Sequence, residues 1–170
     1  MSHAKNKVEW CLKKAERELK TSSTHRGLVQ IKPDVEKAKE HVQKSEHYLK
    51  ATEYLKKGGF SDISASTVFY SMYHCLLAIA LKFGYESRNQ ECTFALIAGL
   101  IEDKKITLEK ELLDKIASLD IEKGKEQTTV EVREQYQYGT SLSLKEDIYS
   151  ELFTLAKKII SQTKIILEEK

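Results

Sequence analysis

Apolar residues recur every three to four positions through most of this chain, a period that predicts α-helices rather than strands. A first helix is predicted from Asn6 to Lys20, because apolar side chains return at positions 8, 11, 12, 15 and 19. A second, long amphipathic helix is predicted to open with Pro33 at its first helical position and to end at Gly58 and Gly59. Its predicted buried face consists of Val35, Ala38, Val42, Ser45, Tyr48, Leu49, Thr52 and Leu55.

The third predicted helix is apolar on almost every side. Between Val68 and Leu81 only Ser71 and His74 are clearly polar, so this helix is predicted to lie at the centre of the fold. Asp62 is predicted to cap its start, and Gly84 suits a left-handed residue at its end. Together with the second helix it is predicted to form an antiparallel hairpin.

The polar side chains of this central helix fall on one face. They are spaced by three and four residues, as neighbours on a helix surface are: Thr67, Tyr70, Ser71 and His74. The spacing predicts a narrow polar seam. A single histidine on an apolar helix is more often a hydrogen-bonded core residue than a catalytic group, and both roles remain open for His74.

Three further helices are predicted, over Arg88–Glu102, Thr107–Leu119 and Ser143–Glu168. The connection from Asp120 to Leu142 lacks a helical period and is predicted to be an ordered loop, although its Thr-Thr-Val-Glu-Val run alternates like a strand. Arg133, Tyr136 and Tyr138 give this loop cationic and aromatic groups. Such groups either anchor a loop or bind a ligand.

Composition bounds the fold class and the compartment. The chain has 170 residues, 41% of them hydrophobic, with 7 glycines and 1 proline, which fits a single all-α domain over residues 1–170. The three cysteines at positions 11, 75 and 92 have no paired spacing, so no disulfide framework is expected and a cytoplasmic location is predicted. The N-terminus shows no apolar core of signal-peptide length, and polar residues break the longest apolar stretch. A soluble protein without a membrane span is therefore expected.

The net charge of +2 hides a gradient along the chain. Residues 1–57 hold 14 Lys and Arg against 8 Asp and Glu, whereas the rest holds 14 against 18. A basic front third is able to attract phosphate, but its basic residues alternate with acidic ones in the manner of solvated helix faces. The solvated surface is the favoured interpretation.

Several segments together resemble the HEPN domains of prokaryotes. They are ASTVFYSMYHCLLAIALKFGY, the overlapping GYESRNQECT and the later VREQYQY. The resemblance covers residues 34–168 and leaves residues 1–33 as an N-terminal helical extension. It implies an up-and-down bundle of about five to six helices that forms a homodimer. Many members of that family are ribonucleases, or toxins paired with small nucleotidyltransferases in toxin–antitoxin systems.

The catalytic members of that family carry an Arg followed four to six residues later by a His. Such a pair would clamp the phosphate and move a proton without a metal or cofactor. Histidines here are at positions 3, 25, 41, 47 and 74, and none follows an Arg at that distance. Arg88 and Asn89 match the polar start of the motif, but Gln90, Cys92 and Thr93 stand where a His is expected. Gln carries no proton at neutral pH, which favours a non-catalytic protein.

Two hypotheses follow, and the first is a non-catalytic module that binds a nucleotide, RNA or a protein partner. The segment Arg88, Asn89 and Gln90 at a helix start suits a phosphate or a base edge. Candidate ligand-binding residues are Arg88, Asn89, Gln90, Tyr70, His74, Arg133 and Tyr136. The same segment also matches a capping box in which Ser87 caps the helix and Gln90 reaches back, and both roles remain open.

The second hypothesis is a metal-independent ribonuclease with an atypical site. His74 would supply acid–base catalysis, and Arg88 or Arg133 would hold the phosphate. Other chemistries lack support, because the chain has no glycine-rich phosphate loop and no metal-binding spacing of His and Cys. His41 and His47 lie six residues apart on the second helix, do not share a face, and are predicted to be on the surface.

Overall fold

A computed structural model of the chain, which describes residues 2–117 and 127–169, shows a helical bundle with one small sheet. The elements in those residues are α1 His3–Leu19, β1 Leu28–Gln30, α2 Val35–Lys57, α3 Ser61–Lys82, β2 Tyr85–Ser87, α4 Gln90–Glu102, α5 Lys110–Ile116, α6 Thr129–Tyr138 and α7 Glu146–Glu168. The all-α fold class is confirmed. The described residues hold seven helices, one more than the upper end of the prediction.

Short polar side chains determine where the first two helices begin. Ser2 caps α1 by accepting a hydrogen bond from the Lys5 amide, and the Asp34 carboxylate caps α2 through the Lys37 amide. The prediction that Pro33 is the first helical residue of α2 is therefore wrong. Asp34 offers an acceptor to an unpaired amide of the first turn, which the proline side chain is unable to do.

Helix α3 is the centre of the bundle, as predicted. It packs against α2, α4, α6 and α7, and 12 of its 22 residues are buried. Its largest buried side chains are Phe69, Met72, Leu76 and Ile79. They share one hydrophobic core with residues of the other helices, among them Ile97, Ile116 and Ile159.

The two ends of α3 match the prediction only in part. Phe60 is the residue before the helix and makes no side-chain cap, so Asp62 lies in the first turn rather than at the capping position. An acidic side chain is still favourable there, because the first turn carries the positive end of the helix dipole. The helix ends just before Gly84, whose φ of 79° is a left-handed conformation that glycine adopts without strain.

Two short strands connect the segment before α2 to the segment before α4. They pair antiparallel, with Leu28 opposite Ser87 and Gln30 opposite Tyr85. Neither strand is predicted from the sequence, because three residues are too few to show the alternation of polar and apolar positions that marks a strand. The pairing brings the N-terminal segment beside Arg88, whose amide donates to the Gly27 carbonyl oxygen at 3.1 Å.

Helix α6 lies within the segment predicted to be a loop, so that part of the prediction is wrong. Thr128 and Glu131 form a capping box, in which each side chain accepts a hydrogen bond from the other residue's amide. This pair outweighs the weak helix propensity of the β-branched residues that follow Thr128. The start of the predicted loop, residues 120–126, and the predicted end of the fifth helix at Leu119 lie outside the described residues.

Cys11 and Cys92 form a disulfide bond between α1 and α4, which corrects the expectation of unpaired cysteines. The two residues are 81 positions apart, and only the packing of α1 on α4 brings them together. Cys75 is a free, buried thiol. Unpaired cysteines therefore no longer argue for a reducing compartment, and the cytoplasmic location stays a prediction.

Helix α3 is long and apolar enough to cross a membrane if only length and composition are considered. The expectation that polar residues make its apolar stretch too short to span a membrane is therefore wrong. However, 61% of the apolar window is buried inside the fold, as in the core helix of a soluble protein.

Gly84→Ala tests the turn that ends α3. A Cβ at this position would lie 2.8 Å from the Ile31 carbonyl oxygen, in addition to the strain of a positive φ. Gly59 is the matched control, because its φ is 84° and a Cβ there meets nothing within 4 Å. In urea titrations we expect Gly59→Ala to lower the free energy of unfolding by about 1 kcal/mol and Gly84→Ala by about 2 to 3 kcal/mol. Equal losses would contradict the close approach of Gly84 to Ile31.

Candidate functional site

Helices α2 and α3 are joined by a row of polar side chains, here called the polar seam. Ser45 Oγ lies 3.2 Å from Ser71 Oγ, which also donates to the Ser45 carbonyl oxygen at 2.8 Å. Further along, Thr52 Oγ1 lies 2.7 Å from Thr67 Oγ1. The seam predicted on the face from Thr67 to His74 is therefore confirmed, and its partner groups come from α2.

His41 and His74 face each other at one end of the seam. Their Nδ1 atoms are 2.8 Å apart while their ring centroids are 5.1 Å apart, so the two nitrogens lie between the rings and point at each other. This geometry is an N–H···N hydrogen bond, in which one ring donates and the other accepts. Consequently one neutral ring carries its proton on Nδ1 and the other carries it on Nε2.

The prediction that His41 lies on the surface is wrong, because the residue is half-buried against α3. Along α2, His41 is four residues before Ser45, and along α3, His74 is three residues after Ser71. In an antiparallel hairpin those spacings place the two histidines opposite each other. The sequence contains this signal in the spacings of His41 and His74 from the two serines. A comparison of His41 with His47 along one helix does not reveal it.

Burial keeps both histidines neutral near pH 7. It lowers the pKa of His74 to about 4, with further contributions from His41 and the charge of Lys44. It also lowers the pKa of His41, together with the charge of Lys37. A neutral pair offers one Nε2–H donor and one Nε2 acceptor to a ligand. At pH 7 neither ring is an imidazolium, which is the form in which a histidine acts as a direct general acid.

Tyrosine rings extend the histidine pair over the surface of the α2–α3 hairpin. Tyr48 stacks on His74 with ring centroids 5.5 Å apart, and its ring centroid lies 5.8 Å from that of Tyr70. The exposed Lys44 places its Nζ 5.3 Å from the centre of the Tyr48 ring. We call these residues the histidine–tyrosine cluster: His41, Lys44, Tyr48, Tyr70 and His74. The four rings are half-buried, so each keeps part of its surface open to solvent.

One face of α3 is left partly open to solvent. Its residues are spaced by three and four, and we call this face the open stripe: Ile63, Ser66, Tyr70, Tyr73 and Leu77. Ile63 is 48% exposed, and the others are half-buried. Tyr70 belongs to both the stripe and the histidine–tyrosine cluster, so the two form one continuous surface.

Arg133 and Tyr136 lie on α6 and pack toward α3. The Arg133 guanidinium is 4.6 Å from the centre of the Phe69 ring, and Phe69 stacks on Tyr73 with centroids 5.8 Å apart. The Arg133 side chain is 11% exposed, and its Nε has no hydrogen-bond partner within the described residues. Tyr136 is half-buried against the core. These contacts anchor α6. The Phe69 ring lies between Arg133 and Tyr73 of the open stripe.

Arg88, Asn89 and Gln90 lie where β2 leads into α4. Asn89 caps α4, because its Oδ1 accepts a hydrogen bond from the Cys92 amide at 3.0 Å. The predicted capping box is therefore wrong: Ser87 belongs to β2, and its hydroxyl donates to the Asn89 carbonyl oxygen. A carboxamide that caps a helix has its oxygen engaged, which leaves Arg88 and Gln90 as the freer groups of this segment.

Arg88 shares a carboxylate with a buried histidine. Glu86 Oε1 accepts from Arg88 Nε at 2.8 Å and lies 3.4 Å from His25 Nε2, while His25 Nδ1 accepts from the Gly27 amide. Partial burial acts to raise the pKa of Glu86, but its hydrogen bonds with Arg88 and His25 lower the pKa overall. The fold thus brings an Arg and a His together. However, both ring nitrogens of His25 are already bonded, which leaves no ring position for a substrate.

A chain of hydrogen bonds links this segment to the open stripe. Tyr73 Oη lies 3.0 Å from Thr93 Oγ1, which donates to Ser87 Oγ at 2.7 Å. Burial raises the pKa of Tyr73, so its phenol stays protonated. Arg88 directly follows Ser87 and so lies at the end of this chain of bonds. The candidate ligand residues therefore form three groups around α3 that the open stripe connects: the histidine–tyrosine cluster, Arg133 with Tyr136, and the segment 88–90.

The described residues offer no ready metal site. Among residues 2–117 and 127–169, no three His, Cys, Asp or Glu side chains gather closely enough to hold an ion. The head-on contact of His41 and His74 also differs from imidazole ligands that converge on a common metal.

Comparison with known families assigns the bundle. The family model of the HEPN domain matches residues 38–166, more than half of the chain. The chain belongs to the HEPN domain family. No curated protein is significantly similar to it in sequence. The HEPN match begins within α2 and ends within α7, so α1 and β1 precede it.

This HEPN domain lacks the spacing of Arg and His that the catalytic members carry. His74 is the last histidine in the sequence, so neither Arg88 nor Arg133 has a histidine on its C-terminal side. The structure does not replace the missing residue, because the histidine beside Arg88 is the fully bonded His25.

The histidine pair predicts a pH-dependent stability. Because the pKa of His74 in the folded protein is about 4 against a usual 6.5, the unfolded chain binds more protons between these values. The stability from the neutral pair is complete above pH 6.5 and is lost as the pH falls toward 4. We expect the Tm from circular dichroism to fall more over that window in the wild type than in His74→Gln. His47→Gln, at an exposed position of α2, should behave like the wild type. The same pH dependence in all three proteins would contradict the pairing.

Proposed function

We propose that this HEPN protein is a non-catalytic module that binds a nucleotide or single-stranded RNA on the surface formed by the histidine–tyrosine cluster and the open stripe. One observation carries the proposal. The half-buried rings of Tyr48 and Tyr70 lie beside each other and beside the neutral pair of His41 and His74, and half-buried Tyr73 continues the surface along α3.

Half-buried aromatic rings suit unpaired bases. Packing fixes each ring while part of its surface stays accessible, so a base can stack on it with little loss of side-chain entropy. Stacking on an aromatic side chain contributes about 1 to 3 kcal/mol per base. The free Nε2 positions of His41 and His74 add one donor and one acceptor for a base edge.

Cations at both ends of this surface suit the phosphates. Lys37 and Lys44 are exposed on α2 beside the histidine pair. Arg88 is half exposed beyond Tyr73 and is held by Glu86 alone among the described residues. Binding through these groups should weaken as the salt concentration rises, because phosphate contacts release counterions.

The protonation state of the histidines argues against catalysis. With a pKa of about 4, His74 is neutral at pH 7 and is a weak base there. Neither ring then holds the additional proton that a histidine donates as a direct general acid. The chain has no His at the family's catalytic spacing from an Arg, which agrees with a binding role.

Family membership also leads us to propose a homodimer and a nucleotidyltransferase partner, of the kind found in toxin–antitoxin pairs. Exposed apolar side chains near the α2–α3 turn support a protein contact there, with Phe60 55% and Leu142 80% exposed. The two lie on adjoining segments, because the Leu144 amide donates to Ser61 Oγ. In sedimentation equilibrium, a monomer mass that does not change with protein concentration would contradict the proposed homodimer.

Tyr70→Ala tests the binding surface. Loss of one stacking ring should raise the Kd for a labelled single-stranded RNA about 5- to 150-fold, measured by fluorescence anisotropy in EDTA at low salt. Arg88→Ala should weaken binding and flatten the salt dependence while changing stability by less than about 0.5 kcal/mol. Tyr54→Ala is the matched control, since Tyr54 lies on α2, is 79% exposed and is outside the cluster.

Two outcomes would contradict this proposal. One is wild-type protein that binds neither RNA nor nucleotides. The other is equal binding by the wild type, Tyr70→Ala and Tyr54→Ala, which would place the ligand elsewhere on the protein.

The alternative is a metal-independent ribonuclease, which the hydrogen bond between His41 and His74 favours. A proton taken up at the free Nε2 of the donating ring can be passed on, because that ring hands its Nδ1 proton to its partner. The partner then releases its own Nε2 proton, so the pair acts as a relay for acid–base catalysis. Arg88 or Arg133 would hold the phosphate in such a site.

Cleavage of labelled RNA in EDTA, measured across pH, separates the two functions. A nuclease that uses His74 as its base should keep a constant rate above about pH 5 and lose activity with a midpoint of about 4. His74→Gln should abolish this cleavage. Binding without cleavage at every pH would exclude the ribonuclease and leave the binding module.

A further inference from the structure

The N-terminal segment, residues 2–30, precedes the HEPN match and forms a separate layer over α4. Helix α1 packs mainly against α4 and β1. Helix α4 is buried at every position from Cys92 to Leu100, which means that all of its sides are covered. Helix α1 therefore covers a face of α4 that the HEPN bundle by itself would leave open.

The buried side chains of α1 are small, so each buries little apolar area. Of the 17 residues in α1, the buried ones are Ala4, Cys11 and Ala15, while Val8 and Leu12 are partly buried and also pack against the core. Two ion pairs with partly or largely exposed side chains add to the contact: Lys5 with Asp103 and Lys7 with Glu91. Exposed ion pairs contribute little to stability. The Cys11–Cys92 disulfide adds a covalent bond to these contacts and holds α1 on α4.

The other end of the segment is held firmly without a covalent bond. Leu28 is 1% exposed in the core, β1 pairs with β2, and the Gly27 carbonyl oxygen accepts from the Arg88 amide. Between this anchor and α1, every residue from Lys20 to Thr24 is exposed. Within the part of the chain that the structure describes, those five residues hydrogen-bond only with one another and with the end of α1, so they form a hinge between α1 and β1. The bond from the Arg26 amide to Glu18 Oε2 must break when the hinge opens.

We propose that the Cys11–Cys92 disulfide is a reducible lock on α1. While the bond is intact, α1 stays on α4. Once it is reduced, α1 turns away about the hinge at residues 20–24, and the bundle from α2 to α7 stays folded around α3. Opening uncovers the side of α4 next to Arg88, so the redox state controls access to that end of the molecule.

The reductant is a dithiol, and the exchange balances within it. One thiolate of the dithiol attacks one sulfur of the bond, a mixed disulfide forms, and the other cysteine leaves as a thiolate that takes up a proton. The second thiol of the reductant then breaks the mixed disulfide. The protein gains two thiols and the reductant becomes a disulfide. Since Cys11 and Cys92 are both 0% exposed, attack requires a transient local opening of the packing around the bond, and this opening limits the rate of reduction.

Hydrogen–deuterium exchange with mass spectrometry tests the lock on the full-length protein. The Cys75→Ala background removes the free thiol and prevents disulfide exchange. We expect complete reduction with dithiothreitol, verified by thiol titration, to speed amide exchange in α1 by about tenfold or more, because an isolated helix of this length is marginal in water. Exchange in α3 should stay unchanged. Trp10, the single tryptophan, lies next to Cys11 and should show a lower fluorescence anisotropy on reduction.

The control is the double variant Cys11→Ser with Cys92→Ser in the same background. Its α1 should exchange rapidly with or without dithiothreitol. Unchanged α1 exchange after complete reduction would overturn the proposal, as would a disulfide that dithiothreitol leaves intact in the native protein. Faster exchange in α1 and α3 together would also overturn it, because the bond would then stabilise the whole fold rather than lock one helix.

Discussion

The hydrogen bonds of the polar seam fix how α2 lies along α3, and the position of every ring in the histidine–tyrosine cluster depends on that register. Apolar contacts between two helices are not directional and tolerate more than one register. The hydroxyls of Ser45, Ser71 and Thr52 are buried, and leaving each unpaired would cost about 1 to 3 kcal/mol. A slide of one turn would break several of these bonds at once. The seam therefore specifies the hairpin in a way that the surrounding apolar residues are unable to do.

The candidate site is the outward continuation of this seam. The register that pairs Ser45 with Ser71 also sets His41 against His74 and Tyr48 against Tyr70. Burial near the seam keeps the histidines uncharged, while lysines and Arg88 supply positive charge at the edges of the surface. The centre of the surface therefore offers rings and neutral hydrogen-bonding groups, and its rim offers cations. Bases and phosphates need these two properties in that arrangement, whereas proton transfer at neutral pH needs a histidine with a higher pKa.

Part of this architecture could be predicted from the sequence because it rests on local periodicity. The central helix and the seam on α3 follow from spacings of three and four residues. The role of His41 depends on a partner from another helix, and the disulfide joins residues 81 positions apart, so neither follows from spacing along one segment. Helix α6 could not be predicted for a different reason. The β-branched residues after Thr128 suggest a strand, but the capping box at Thr128 stabilises a helix instead. Asn89 has the right chemistry for a ligand but is used by the fold as a cap.

The ¹⁵N NMR spectrum of histidine-labelled protein, titrated with acid, shows whether His41 and His74 pair as the register of the seam requires. The signals of His41 and His74 would be assigned with the variants His41→Gln and His74→Gln. The paired geometry predicts complementary tautomers, one protonated at Nδ1 and the other at Nε2, and a pKa for His74 of about 4. Two histidines with the same tautomer that both titrate near 6.5 would contradict it. The register of the seam, and the proposed binding surface built on it, would then be wrong.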